Sequence, residues 1–163
     1  MSVPLKILFI CTGNSCRSQM AEGFARALGG DRIEAYSAGT EPKGLNPRAV
    51  AAMAEVGIDI SHHISKLIDP DLLNRVDLAI TLCGDALETC PVIPAHVRHL
   101  HWGLPDPARA TGTEEQIMAK FRAVRDEIRR RIENLLATPL NEIRSESLEI
   151  RLPGFSRGDP ADE

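Results

Sequence analysis

The stretch Cys11-Thr12-Gly13-Asn14-Ser15-Cys16-Arg17 sets a thiol and a guanidinium on either side of five residues. Where such a stretch joins a strand to a helix, the amides of residues 12–17 converge on one centre. The helix expected from Ser18 adds its positive end to that centre. Arg17 can fold back over the loop and offer two parallel donors to a tetrahedral oxyanion. The same field favours a thiolate at Cys11, directly beneath the bound anion. Ser18 is placed to donate a hydrogen bond to that thiolate, and Asn14 to bond across the loop and hold its shape. Thr12, Gly13, Asn14, Ser15, Cys16, Arg17 and Ser18 are therefore the expected anion-binding residues.

A buried cysteine and a surface arginine six positions apart would be weak evidence alone. The strand-end position, with Gly13, Asn14 and Ser18 present, is what makes it a site. A nucleotide P-loop is a poor rival, since no Gly-Lys-Ser/Thr follows, and Gly-x-Gly-x-x-Gly is also absent. A thiolate under an oxyanion can take a phosphoryl group and pass it to water. It can also attack an oxidised centre such as arsenate, which thiols reduce.

The other cysteines bear on that choice. Cys83 follows the apolar run Leu78–Leu82, so it too should sit at a strand's carboxyl end, where it could face Cys11. Cys90 lies seven residues on, in Cys83-Gly84-Asp85-Ala86-Leu87-Glu88-Thr89-Cys90-Pro91. Were this stretch helical, the two α-carbons would be about 10.5 Å apart along the axis, whereas a disulfide needs roughly 4.4–6.8 Å. The pair could bond only if the segment unwound, which is a redox switch. Gly84 and Pro91 bracket it as hinges. Two inert buried thiols are the bland alternative. Zinc fits poorly, because C-x4-C and C-x6-C are not knuckle spacings, so no metal site is expected. Cys16 reads as a bystander.

A leaving oxygen needs a proton. Leu104-Pro105-Asp106-Pro107-Ala108 is stiffened by its prolines and could hold Asp106 over the anion. Read without its context, Asp106 would be an ordinary turn aspartate.

The elements that must position these groups are legible as periods and caps. Leu5–Ile10, Ile33–Ala38, Leu78–Leu82 and Val97–Trp102 read as strands. Ser18–Leu28 reads as a helix stopped at Gly29-Gly30, with Met20, Phe24 and Leu28 every four residues. Asn46-Pro47 opens a helix running toward Val56, and a short one begins near Asp69-Pro70. Thr113-Glu114-Glu115-Gln116 has the form of a capping box. It precedes a long helix, to about Ala137, whose apolar face carries Ile117, Phe121, Val124, Ile128, Ile132 and Leu135. Arg129, Arg130 and Arg131 read as a solvated part of that helix. Alternating strands and helices imply an α/β fold with a parallel sheet covered on both faces. Residues 138–163 read as an extension, with Leu148, Ile150 and Leu152 as a possible edge strand and Arg157–Glu163 disordered. His62 and His63 lack ligand spacing to any cysteine and read as plain histidines.

At 163 residues, the length suits one domain. A formal charge of −4 gives no footprint for nucleic acid or an anionic membrane. No run approaches a membrane span, and the N-terminus lacks signal-peptide pattern, so a reducing, cytoplasmic location is expected.

Together these residues resemble the thioredoxin-coupled arsenate reductases, which share the low-molecular-weight tyrosine phosphatase fold. The resemblance runs from about Leu5 to Leu135. It rests on Cys11 to Gly23, Tyr36-Ser37-Ala38-Gly39, Gly44-Leu45-Asn46-Pro47, Asp59-Ile60-Ser61-His62, Asp77-Leu78, Thr81-Leu82-Cys83 with Cys90-Pro91, His101-Trp102-Gly103 and Asp106-Pro107-Ala108. It implies a three-layer α/β fold with a four-stranded parallel sheet in the order 2-1-3-4, a catalytic domain over 1–137 and a C-terminal extension over 138–163. It implies that Cys11 attacks arsenate and Asp106 acts as the acid. Cys83 then attacks Cys11, Cys90 resolves the disulfide to Cys83–Cys90, and thioredoxin recharges the enzyme. Arsenate and thioredoxin are the expected partners of a cytoplasmic monomer, with no nucleic acid, membrane or bound cofactor, and weak phosphatase activity is expected on the side. Some members hold potassium beside the loop. Asn14, Glu22 and Ser37 match three of its ligands, but the fourth position is Lys66. The expectation is that the Lys66 ammonium takes the cation's place, pairs with Glu22 and makes potassium unnecessary. The alternatives are a phosphotyrosine phosphatase, and an oxyanion or redox sensor gated by Cys83–Cys90. A phosphatase would normally ring its cleft with aromatics, whereas Ala108 follows Asp106-Pro107 here and the chain has one Tyr and one Trp.

Overall fold

The computed structural model describes residues 3–84, 91–143 and 155–156. Its strands are β1 (Leu5–Cys11), β2 (Ile33–Gly39), β3 (Leu78–Cys83), β4 (Arg98–Leu104) and β5 (Phe155–Ser156). Its helices are α1 (Arg17–Gly29), α2 (Pro47–Ala54), α3 (Pro70–Arg75), α4 (Glu114–Leu136) and α5 (Leu140–Ile143). The sheet order is β2-β1-β3-β4-β5. The first four strands are parallel, in the order expected from the sequence, and β5 adds an antiparallel edge strand against His99 and Leu100 of β4. The expected edge at Leu148–Leu152 and the expected disorder of Arg157–Glu163 lie outside the described residues. No helix among the described residues is long and apolar enough to cross a membrane.

The strands alternate their side chains between two apolar layers. On one face Leu5, Ile7, Phe9, Leu78, Ile80, Leu100 and Trp102 pack with Phe24 of α1, Met53 of α2 and Phe121 and Ile128 of α4. On the other, Leu8, Ile10 and Ala79 pack with Leu73 of α3 and with Ile93 and Val97. Both faces are therefore dry, which a parallel sheet requires.

The helices start where local chemistry dictates. Asn46 accepts from the amide of Arg48 at 2.8 Å with Pro47 in the first turn. Asp69 accepts from the amide of Asp71 at 2.9 Å ahead of α3. Thr113 and Gln116 close a reciprocal capping box on α4, and each such cap contributes about 1 kcal/mol. Tertiary ties fix α4 further. The buried Arg125 donates to the Ala52 carbonyl at 2.9 Å and to Glu55 at 2.8 Å, and Arg122 grips the same carboxylate. The arginine triplet is not simply solvated: Arg130 and Arg131 pair with Glu127, and the guanidinium of Arg129 lies 5.9 Å from the centre of the Phe24 ring.

In the sheet, the Thr81 hydroxyl sits between His99 Nε2 at 2.7 Å and His101 Nδ1 at 2.6 Å. Burial, then the neighbouring charge of His101, pushes His99 down from 6.5 to about 4, and burial lowers His101 as well. A histidine depressed in the folded state leaves the unfolded chain the better proton acceptor. Its contribution to stability is complete above about pH 6.5 and is lost as pH falls toward about 4. Urea unfolding across that window should show stability falling with pH, with about one proton taken up on unfolding. His99→Gln should flatten the slope, and an unchanged slope in that variant would assign the proton elsewhere.

Candidate active site

Parallel strands bring their carboxyl ends together, and β1 pairs Cys11 with Gly39 of β2 and Ile10 with Thr81 of β3. The loop after Cys11 therefore emerges between the ends of β2 and β3, where open α/β sheets bind ligands. Its carbonyls are all taken from outside. Thr12 O accepts from Glu41 N, Gly13 O from Lys43 N and Ser65 Oγ, Asn14 O from Gln19 Nε2, and Ser15 O from Asn46 N, at 2.8–3.1 Å. In a planar trans peptide each amide points opposite its carbonyl. Engaging those four carbonyls on the outside turns the amides of residues 13–16 inward.

Asn14 makes this bend. It is the one described non-glycine residue with positive φ, at 45°, a conformation Asn tolerates better than most residues. Its Nδ2 donates to Ser18 Oγ at 2.8 Å. Its Oδ1 accepts from Lys66 N at 2.9 Å and Gln19 Nε2 at 3.1 Å. Gln19 also donates to Ile64 O, and its Oε1 meets His63 Nδ1 at 2.9 Å. Gly39 is obligatory alongside, because a β-carbon there would stand 2.5 Å from Thr12 O and 2.9 Å from Asn14 N.

Inside the loop, Cys11 Sγ lies 2.9 Å from Ser18 Oγ. Ser18 Oγ accepts from Asn14 and keeps its own proton available for the sulfur when Cys11 is a thiolate. Cys16 precedes α1 without giving it a side-chain cap, in contrast to Asn46, Asp69 and Thr113, so the start of α1 can be capped by an anion in the cradle. Arg17 is 2% exposed. Its Nη1 donates to Leu104 O at 2.9 Å and Leu82 O at 3.2 Å, and its Nη2 lies 3.8 Å from Asp106 Oδ2. Asp106 is fixed by its own turn, where Oδ1 accepts from Ala108 N at 3.0 Å. Cys11, Thr12, Gly13, Ser15, Cys16, Arg17 and Asp106 line one cavity of about 340 Å³. Asn14 and Ser18 are fully buried behind it and brace the loop.

Cys83 closes β3 and is buried. Cys11 and Cys16 are free, buried thiols. Cys90 lies outside the described residues, and so does most of the stretch between the expected hinges. Gly84 has a packing reason besides any hinge role, because a β-carbon there would meet Leu104 O at 2.4 Å.

The residues matching a cation site divide into two pairs. Asn14 bonds the backbone of Lys66, and Ser37 Oγ donates to Glu22 Oε1 at 2.6 Å. The expected Lys66–Glu22 pairing is replaced. Lys66 Nζ donates to Ile64 O at 2.9 Å, while Arg26 Nε meets Glu22 Oε2 at 2.9 Å. The reason is local: Arg26 stands one turn from Glu22 on the same helix and reaches it without ordering a loop. Lys66 still feels Glu22, whose charge opposes the lowering that burial causes in the ammonium.

Sequence reasoning missed Gln19, His63, Ser65 and Arg26, and the charged rim of Glu41, Lys43 and Arg109 that also lines the cavity. The rim had a signal. In a parallel sheet the segment after β2 must pass beside the loop after β1. Gln19 had none, because its role depends on backbone contacts 45 residues away in sequence.

Cys16 is the bystander thiol. Burial pushes it up to about 12, outweighing its contact with Ser15. In reduced, folded protein at about pH 8, iodoacetamide should leave Cys16 at least ten times less reactive than in urea, about the ratio its neutral, buried form implies. Peptide mass mapping would show this, and rapid labelling of Cys16 in the folded state would contradict it.

The comparisons agree with this architecture. The family described as low molecular weight phosphotyrosine protein phosphatase matches residues 6–147. The arsenate reductase of Bacillus subtilis is 59% identical over 132 residues, covering 81% of this chain and 95% of that protein. A solved arsenate reductase in its phosphate-binding state is 40% identical, with a TM-score of 0.71, covering 82% of this chain and 97% of that one. The thioredoxin-dependent arsenate reductase of Corynebacterium glutamicum is 28% identical, with a TM-score of 0.57, covering 82% of this chain and 64% of that one. A thiol-and-arginine anion loop on this sheet, with these relatives, places the chain in the low molecular weight phosphotyrosine protein phosphatase family, on the branch of the arsenate reductases.

Proposed function

We propose that this protein reduces arsenate to arsenite by a three-cysteine relay recharged by thioredoxin, as an arsenic-detoxifying enzyme. The observation that carries the reading is Arg17. One guanidinium lines the anion cavity, lies beside Asp106 and donates to Leu82 O, the backbone immediately before Cys83. The anion loop, Asp106 and the strand end that carries Cys83 are thereby tied together.

In this reading the Cys11 thiolate attacks the arsenic(V) of bound arsenate. Asp106 protonates the departing oxygen, which leaves as water. The Cys83 thiolate then attacks the Cys11 sulfur. The electron pair of the sulfur–arsenic bond passes to arsenic, which leaves as arsenite(III), and a Cys11–Cys83 disulfide remains. The Cys90 thiolate attacks Cys83 and releases Cys11 as a thiolate. The Cys83–Cys90 disulfide takes two electrons and two protons from the thioredoxin dithiol. The protein would work as a monomer in the cytoplasm, where a reduced thioredoxin pool is at hand.

The cradle suits phosphate as well as arsenate, so slow hydrolysis of small phosphate esters accompanies this function. None of the described residues lining the cavity is aromatic, which disfavours a dedicated phosphotyrosine phosphatase. Glu22 is already held by Arg26 and Ser37 with Lys66 nearby, and this supports activity without added potassium.

Two measurements test these statements. Arsenate-dependent NADPH oxidation with thioredoxin and thioredoxin reductase should turn over steadily in wild type, while Cys90→Ser should stop after at most about one turnover. Steady turnover by that variant would remove Cys90 from the mechanism. Replacing sodium by potassium at equal ionic strength should change the rate less than about two-fold, the modest effect of salt on a site whose charges are already paired. A clear stimulation specific to potassium would overturn the reading that Glu22 is already satisfied by Arg26 and Ser37.

A further inference from the structure

The mouth of the cavity carries three charged side chains, Glu41, Lys43 and Arg109, and the anion loop itself sets the placement of the first two. Glu41 and Lys43 both line the cavity. Each is anchored through its own amide: Glu41 N donates to Thr12 O at 2.8 Å and Lys43 N to Gly13 O at 2.9 Å. The Lys43 stem lies across Gly13, with Cγ and Cδ each 3.6 Å from where a β-carbon would stand. Both side chains are exposed, and among the described residues neither is engaged in an ion pair. Deeper in, Arg17 and Asp106 already face each other at 3.8 Å.

We propose that Lys43 is the specificity-determining cation of this mouth, drawing charged oxyanions into the cradle, and that Glu41 opposes it, the pair together setting the rate of anion capture. The proposal deepens the reading of the cavity as an arsenate site and rests on it. A cleft with low-dielectric walls focuses the field of charges at its mouth. At about 0.1 M salt such a field reaches roughly 10 Å before it is screened. The substrate and product differ in the property this field reads. Arsenate is an anion near neutral pH and arsenite is a neutral acid, so a lysine at the mouth attracts the one and does not hold back the other. Phosphate carries the same charge as arsenate, so Lys43 selects by charge and not between these two anions.

The test uses the full-length protein and the variants Lys43→Gln, Lys43→Arg and Glu41→Gln. Thermal unfolding of each is checked first. The readouts are kcat and kcat/KM for arsenate with thioredoxin recycling, and calorimetric binding of inorganic phosphate, at about 20 mM and about 300 mM salt. Lys43→Gln should lower kcat/KM and phosphate affinity about 3- to 10-fold at low salt and less than about 2-fold at high salt, with kcat unchanged. Glu41→Gln should shift both the opposite way, and Lys43→Arg should restore wild-type behaviour. A general disturbance of the loop would move both neutral variants in one direction and would not respond to salt; that result, or no change in either variant, overturns the proposal. Wild type that binds phosphate but never turns over arsenate overturns the reductase reading, and the phosphate data then decide the proposal. Wild type that binds neither anion overturns both.

Discussion

A loop that turns its amides inward must give its carbonyls and its strained residue a home outside, and Asn14 is where that demand concentrates. Its left-handed backbone lets the chain reverse, and its side-chain amide ties α1, through Ser18 and Gln19, to the backbone of Lys66. Each buried polar group left without its partner would cost about 1–3 kcal/mol. The bend is therefore stable only when the segment through Lys66 is docked. That segment docks because Gly39 N donates to Lys66 O and Ile68 N donates to Gly39 O, which extends the sheet edge past β2. The position of the Cys11 sulfur follows from the same chain of contacts, since Asn14 donates to the Ser18 hydroxyl and Ser18 faces that sulfur.

Arg17 imposes a second demand. A guanidinium buried to this degree needs carbonyl acceptors and a counter-charge close by. The ends of β3 and β4 supply carbonyls at Leu82 and Leu104, and the turn after β4 supplies Asp106. The β3–β4 register shifts between Thr81 and Cys83, so that Cys83 falls opposite Leu104. Gly84 then lies too close to the Leu104 backbone for any larger residue. The arginine that lines the cavity is thus held by the strand end that carries Cys83, and the spacing of these groups is set by the sheet.

What the sequence made legible was local. Asn46-Pro47, Asp69-Pro70 and the Thr113–Gln116 box announce helix starts through hydrogen bonds made within three residues, and each formed as read. Cys11, Arg17 and Asp106 were legible because a loop at a strand end and a proline-stiffened turn restrict where their side chains can go, and they share one cavity. Contacts between distant segments were not legible. The edge strand at Phe155–Ser156 depends on where a long connection returns. The partner of Glu22 is instructive, because the lysine aligned from the resemblance lost to an arginine visible at i+4 all along. A helical neighbour needs no loop to be ordered before it can pair, so it deserved the greater weight.

The cradle does not by itself select its chemistry. Inward amides, an arginine and a thiolate stabilise any tetrahedral oxyanion, and the resulting adduct can be resolved by water or by a thiol. Water returns the central atom at its original oxidation state and needs only an acid–base group such as Asp106. Reduction needs an electron pair, and so a second sulfur able to reach the first. On this sheet the place for that sulfur is the end of β3. It adjoins β1 and carries Leu82, the carbonyl that Arg17 holds. A serine in place of Cys83 keeps the Leu82 carbonyl that anchors Arg17. The distinction between a phosphatase and a reductase on this fold then reduces to two thiols, one at the end of β3 and one that can release it, and the geometry that binds the anion is common to both.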